Sequence, residues 1–250
     1  MRSSSLVVST ALVAAGLSLA SPSVSAQDVA REEGAIVGSD YAVDPMFEPS
    51  PEQFTAELRV GGYRPDLGGA FQSSFGGDIG PMIGAELDVH IWRIPFVGPL
   101  AVGASFGWAE WSGAARVVTG TPTANVGQTG LSLVNFNLLL VLRIDVLARQ
   151  LDFPLILSGK VGPDVGYWQT GTTSGTDADG WSVGLRWAAQ AALELDFLEP
   201  RAARRLDDEW GINHSAVFFE LYGSTMGQWS GDMLPIGTNL AWTAGLQFTF

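Results

Sequence analysis

The sequence predicts an all-β protein, an eight-stranded antiparallel up-and-down β-barrel that crosses a membrane with its strands, and three observations carry the prediction. Eight stretches alternate apolar and polar residues with a period of two, the pattern of a strand with one greasy face. Hydrophobic residues make up 46% of the chain and charged residues 16%, yet no apolar run after Ala26 reaches the roughly 20 residues that a membrane helix needs. Long and short connections alternate between the stretches, and an even strand number returns the chain to its starting side. In hydrocarbon every backbone N–H and C=O must be paired within the protein, which leaves helices or closed barrels, and this sequence offers no spanning helix.

The chain opens with Met1-Arg2, an apolar run from Leu6 to Leu19, and small residues at Val24-Ser25-Ala26. That order predicts a secretory signal peptide, residues 1–26, cleaved near Ala26. Residues 27–53 scatter Asp28, Glu32, Glu33, Asp40, Asp44, Glu48 and Glu52 among Pro45, Pro49 and Pro51. They are expected to form a flexible acidic tail in the periplasm, with the barrel occupying 54–250. The chain has no cysteine, which excludes a lipid attachment site, a disulfide and a thiolate metal site. Its formal net charge of −13 argues against a nucleic-acid partner.

The first strand runs from Phe54 to about Tyr63, with Phe54, Ala56, Leu58 and Val60 opposite Thr55, Glu57 and Arg59. Residues 64–81 are Gly-rich and read as a long loop. The second strand, 82–92, sets Ile83, Leu87 and Val89 against Glu86, Asp88 and His90; residues 93–99 make a tight connection. Val102, Ala104, Phe106 and Trp108 mark the third strand, and 112–130 a second long loop. The fourth strand, 131–146, faces Asn135, Asn137, Arg143 and Asp145 away from its apolar side. After a short turn at 147–154, the fifth strand, 155–168, carries Lys160 and Asp164 on its polar face, and 169–180 is the third long loop. The sixth, 181–197, alternates from Trp181 to Phe197 with Arg186, Gln190, Glu194 and Asp196 on the other side. Pro200 suits a first helical turn and Gly211 a C-terminal cap, so a short helix is placed between Glu199 and Gly211. A seventh strand, from Ser215 to about Trp229, bears Glu220, and the eighth, 239–250, closes the set.

The apolar faces are expected to point to lipid, not inward as in a lipocalin. The polar faces are rich in Gly, Ala and Ser, and Lys160 is the only lysine, a face suited to a narrow filled lumen and ill suited to water. Aromatics gather at strand ends: Trp108, Trp111, Tyr167, Trp168, Trp181 and Trp229 by the long loops, and Phe54, Trp92, Phe96, Phe153, Phe197, Phe248 and Phe250 by the short turns. They predict two interfacial girdles. A last strand ending on an aromatic, with Trp242, Phe248 and Phe250, resembles the signal by which the barrel assembly machinery receives bacterial outer-membrane proteins. The expected location is therefore the outer membrane of a Gram-negative-type bacterium, with membrane lipid as a partner.

Several segments together resemble the myxobacterial-type outer-membrane β-barrel family: SPEQFTAELRVGGYRPD at 50–66, residues 82–88 with Arg93-Ile94-Pro95, residues 142–147, and 202–220 with ARRLDDEWGINHS. Ser215 stands where the family favours Thr. The resemblance implies location and fold, with no catalytic residue or cofactor to carry over.

The polar faces supply a candidate lumen network: Glu57, Arg59, Glu86, Asp88, His90, Arg143, Asp145, Lys160, Asp164, Arg186, Glu194, Asp196 and Glu220. Buried charges are normally paired, so its role is expected to be structural. His90, with an acid beside it and Ser105 on the next strand, offers the alternative of a lipid-modifying triad. His214 is expected to cap the turn into the seventh strand. The charged segment 200–209 reads as a solvated turn or as a contact for a periplasmic partner or the cell wall, and its arginines, placed before its acids, oppose the helix dipole. No spacing matches a phosphate loop, a zinc site or an EF-hand, so no cofactor is expected. A structural or surface-interaction role follows, with no enzyme activity; a narrow channel, the His90 enzyme and a loop-mediated adhesin are the rivals.

Overall fold

The structure is a computed structural model and describes residues 51–68, 75, 79–116, 125–172, 178–229, 231 and 233–250. The predicted signal peptide, residues 1–26, and residues 27–50 of the predicted tail lie outside the described residues. Eight strands form one closed antiparallel barrel in chain order: β1 (Phe54–Tyr63), β2 (Gly80–Ile94), β3 (Gly98–Arg116), β4 (Asn125–Ile144), β5 (Leu155–Thr172), β6 (Ala178–Glu194), β7 (His214–Ser224) and β8 (Thr238–Thr249). Helix α1 (Val146–Gln150) joins β4 to β5 and helix α2 (Pro200–Trp210) joins β6 to β7. The predicted fold class holds.

Closure occurs between the first and last strands, which pair from Thr55↔Thr249 to Gly62↔Trp242. The predicted assembly residues sit on this seam. Phe250 N–H donates to Phe54 O at 2.8 Å, Phe54 N–H returns to Phe250 O at 3.1 Å, and the two rings stack at 4.6 Å. Phe248 pairs with Ala56, and Trp242 packs its ring on Phe219 at 6.2 Å.

Alternation sorts the faces as period two requires. Leu58, Val60, Leu87, Val89, Phe136, Leu138, Trp187 and Phe219 are exposed around the outside, while Glu57, Arg59, Glu86, Asp88, Lys160, Arg186 and Glu220 are buried inside. An exterior of large apolar side chains around a charged interior inverts the order of a water-soluble barrel.

Several boundaries move. The loop placed at 112–130 is largely strand, because β3 continues to Arg116 and β4 begins at Asn125. The loop placed at 169–180 shrinks likewise, with β5 reaching Thr172 and β6 starting at Ala178. Those stretches are Gly- and Thr-rich and lack alternation, so pairing across the hairpin, not local pattern, extends them. The short turn at 147–154 contains α1. β7 ends at Ser224, before the expected Trp229, where its register to β8 shifts between Tyr222 and Ser224. The helix expected between Glu199 and Gly211 is present, ended by Gly211 in the left-handed conformation (φ 68°) with its N–H on Asp207 O at 2.9 Å.

Two residues assigned to the outer girdle point the other way. Trp111 shares the inward parity of Ala109 and Gly107 and is buried, and Trp168 packs against the same interior cluster. Trp108, Trp181 and Trp229 do face outward.

Candidate functional site: the filled interior

The barrel interior has three storeys. The middle one is ionic. Glu57 of β1 accepts from Arg59 Nε at 3.0 Å and Lys160 Nζ at 3.2 Å, and from the amides of Gln190 and Gln247 at 3.0 Å each. Arg59 holds Glu220 through both terminal nitrogens, at 3.2 and 3.1 Å, and lies 2.8 Å from Glu86. Lys160 also contacts Glu86 and Glu220, and Arg186 donates to Glu220 at 2.9 Å while lying over the Tyr222 ring at 3.8 Å. Three carboxylates, Glu57, Glu86 and Glu220, thus face three cations, Arg59, Lys160 and Arg186, and every one of these side chains is sealed from solvent. These six charges balance one another, as charges buried away from solvent should.

Other residues predicted for this network stand apart from it. Asp88 is buried beside Glu86 but makes no ion pair among the described residues, and its Oδ1 has no hydrogen-bond partner in the protein. Asp164 accepts from Ser224 Oγ at 2.6 Å instead of pairing with a base. Arg143 donates to the hydroxyls of Thr55 and Thr249. His90 bonds through Nε2 to Thr55 Oγ1 at 3.0 Å and through Nδ1 to Glu52 O at 3.3 Å. Across β2 and β3 its partner is Ala101, whereas Ser105 lies opposite Glu86 and accepts from Asn137 at 2.9 Å. The register therefore separates His90 from Ser105, and the triad does not assemble.

Asp145, Glu194 and Asp196 belong to a second cluster, at the barrel end that carries the short connections. Arg149 of α1 grips Glu194 with two nitrogens, at 2.9 and 3.2 Å, and reaches Glu52 at 3.4 Å; Arg93 holds Asp145 at 2.6 Å. His214 Nδ1 lies 2.6 Å from Asp196 and Nε2 lies 3.4 Å from Glu52. An imidazolium satisfies both contacts by donating from each ring nitrogen. His214 is thus an ion-pairing residue, a larger part than the predicted turn cap. Burial works to raise the Glu52 carboxyl, but the His214 hydrogen bond and the charges of Arg149, His214 and Arg143 outweigh it and hold it at about 2, against the ordinary 4.5. The cluster ties the end of the pre-barrel segment to the barrel mouth. Glu194, Asp196 and His214 also bring one ligand atom each within 4.8 Å of one another, but the short contact between His214 and Asp196 and the grip of Arg149 on Glu194 already use those atoms.

The third storey, towards the long loops, is apolar. Tyr63, Met82, Trp111, Leu131, Leu133 and Tyr222 on the inner wall surround Met226 and Ile236, which come from the connection between β7 and β8. Its two ends, at Met226 and Gly227 and at Leu234 to Ile236, fold into the barrel. Gly227 N–H donates to Val183 O at 3.0 Å, Ser182 Oγ to Leu234 O at 2.7 Å, and Tyr63 OH to Ile236 O. Small residues on the wall make room: a Cβ at Gly166 would sit 2.6 Å from Ile236 Cδ1 and 2.8 Å from Met226 Sδ. Sequence reasoning missed this plug, although the glycines on the inner faces of β5 and β6 signalled that something else fills the space.

No family model matches the sequence, and no curated protein matches it. Among solved structures the chain is similar to Ail, the attachment invasion locus protein of Yersinia pestis, at 9% identity, 80% of this chain, 97% of that one and a TM-score of 0.43. It is also similar to Neisserial surface protein A at 10%, 79%, 97% and 0.44, and to the N-terminal β-barrel domain of Pseudomonas aeruginosa OprF at 11%, 80%, 100% and 0.38. Likenesses this loose carry no activity across.

Proposed function

We propose that this chain is an integral outer-membrane protein that spans the bilayer as a closed, non-conducting barrel with a structural or surface-interaction role. The signal peptide would be removed near Ala26, the acidic tail would lie in the periplasm, and the C-terminal strand would engage the assembly machinery. The short connections then face the periplasm and the long loops the outside. The finer kinship, to the myxobacterial-type barrel family, rests on the segments quoted above.

One observation carries the reading: the interior is shut twice, by the ionic storey and by the Met226–Ile236 plug. Eight strands leave a lumen that side chains fill, and here the chain adds its own backbone to the filling. That counts against the channel. The separation of His90 from Ser105 counts against the enzyme.

The test joins two measurements on the refolded mature chain. Gel mobility with and without boiling reports whether a closed, detergent-resistant barrel forms. Planar-bilayer recording then reports conductance. A boiling-dependent shift without reproducible current steps is the expected result, and stable current steps would overturn the closed-barrel reading.

A further inference from the structure

Helix α2 lies outside the barrel wall and none of its residues is buried. Ala202, Leu206 and Trp210 recur every four residues and so share one side of the helix, and the Trp210 side chain is 71% exposed. Arg201 and Arg205 flank that stripe over its first two turns, and Glu209 continues the same row beside Trp210. Just before the helix and its cap Glu199, Phe197 and Leu198 are 56% and 65% exposed, so large apolar side chains stand outside the protein on the approach to the helix as well.

The charge order adds a second argument. Arg201, Arg204 and Arg205 occupy the half of the helix where the macrodipole is positive, and its first turn holds no acid. Arg201 stands in the first turn, where a cation disfavours the helix, so helix stability does not explain it. An external anion does. A helix with a narrow apolar stripe ending in Trp and bordered by Arg suits the boundary between acyl chains and headgroups. There Arg binds phosphate in a bidentate manner, and Trp sits with its ring at headgroup depth.

We infer that α2 is an interfacial helix that lies on the periplasmic leaflet of the membrane the barrel spans, with Leu206 and Trp210 towards the acyl chains and Arg201 and Arg205 on glycerophospholipid phosphates. The inference rests on the membrane placement proposed above.

The chain has no cysteine, so single cysteines can be labelled with an NBD thiol fluorophore in the full mature protein. Three sites suffice: Leu206→Cys on the stripe, Asp208→Cys on the charged side, and Leu138→Cys on the outer barrel wall. The protein is reconstituted in vesicles of phosphatidylethanolamine and phosphatidylglycerol, and each label is challenged with doxyl-labelled lipid or aqueous iodide. The labels at 138 and 206 should be quenched by the lipid and the label at 208 by iodide. Changing Arg201→Glu with Arg205→Glu should move the label at 206 to iodide quenching. If 138 meets lipid while 206 meets iodide, the inference fails and the membrane placement stands. Should 206 be shielded from both quenchers, a protein contact covers the stripe and the inference fails. An unchanged 206 label in the charge-reversed variant overturns the phosphate contact. If 138 itself meets iodide, the membrane placement fails and takes the inference with it.

Discussion

Lys160 is the most informative residue to remove. Its ammonium contacts Glu86 and lies 3.2 Å from both Glu57 and Glu220, with no solvent access. Lys160→Met keeps most of the volume, so the change is one of charge. It leaves three carboxylates facing two guanidiniums in a dry interior, and deleting one partner of a buried ion pair costs about 3–5 kcal/mol. Adding Glu86→Gln restores the balance, with Glu57 and Glu220 against Arg59 and Arg186, and the new amide oxygen can still accept from Arg59. The two sites should therefore couple favourably by about 2–3 kcal/mol. Urea unfolding in lipid vesicles, followed by tryptophan fluorescence, measures wild type, both single variants and the double variant. If Lys160→Met costs less than about 1 kcal/mol, the value of a solvent-exposed pair, or if the two changes simply add, water reaches the network and the reasoning is refuted.

Three further outcomes are expected. Glu52 titrates lower in the folded protein than in the unfolded chain, so the stability it contributes is complete above about pH 4.5 and is lost as the pH falls towards about 2; unfolding curves taken across that window should lose this component in Glu52→Gln. Ile236→Ala, at the centre of the plug and fully buried, should cost about 2–5 kcal/mol in the same unfolding assay; a negligible loss would mean that the plug is not packed. Trp111→Ala should cost about 3–5 kcal/mol as a buried aromatic, and Trp108→Ala much less, while doxyl-lipid quenching of the intrinsic fluorescence should fall for the Trp108 variant only.

Faces were legible in the sequence because a period of two needs no knowledge of the partner strand. Glu57, Arg59, Glu86, Lys160, Arg186 and Glu220 could all be placed inward on parity alone, and the same rule applied to Trp111 and Trp168 would have kept them out of the girdle. Which inward residues meet is a different question, fixed by register around the closed sheet. Glu194 and Asp196 have the parity of the network, yet they stand at the barrel mouth with Arg149 and His214, and Asp88 has that parity without an ion pair among the described residues. The plug was beyond pattern altogether. Residues 225–237 show neither period, and what holds Met226, Leu234 and Ile236 inside is the hydrogen bonds of Tyr63 and Ser182 and the room left by Gly166, all distant in the chain.

Well-packed apolar side chains can replace a buried ion network without loss of stability, so stability alone does not account for the six paired charges of the middle storey. Register does. Slipping β1 by one residue against its neighbours would turn Glu57 and Arg59 outward. An arginine on the lipid side of a barrel costs about 2–4 kcal/mol at mid-bilayer, and the broken pairs left inside add to that. An apolar interior imposes no comparable penalty, because its residues would be welcome on either face. Inward positions of β1 to β3 at Gly61, Gly84, Gly103 and Gly107 carry no side chain that could fix the alignment. In such a barrel the ionic storey makes one register far better than its neighbours, and the cost of that selectivity is the strict pairing that Lys160→Met would break.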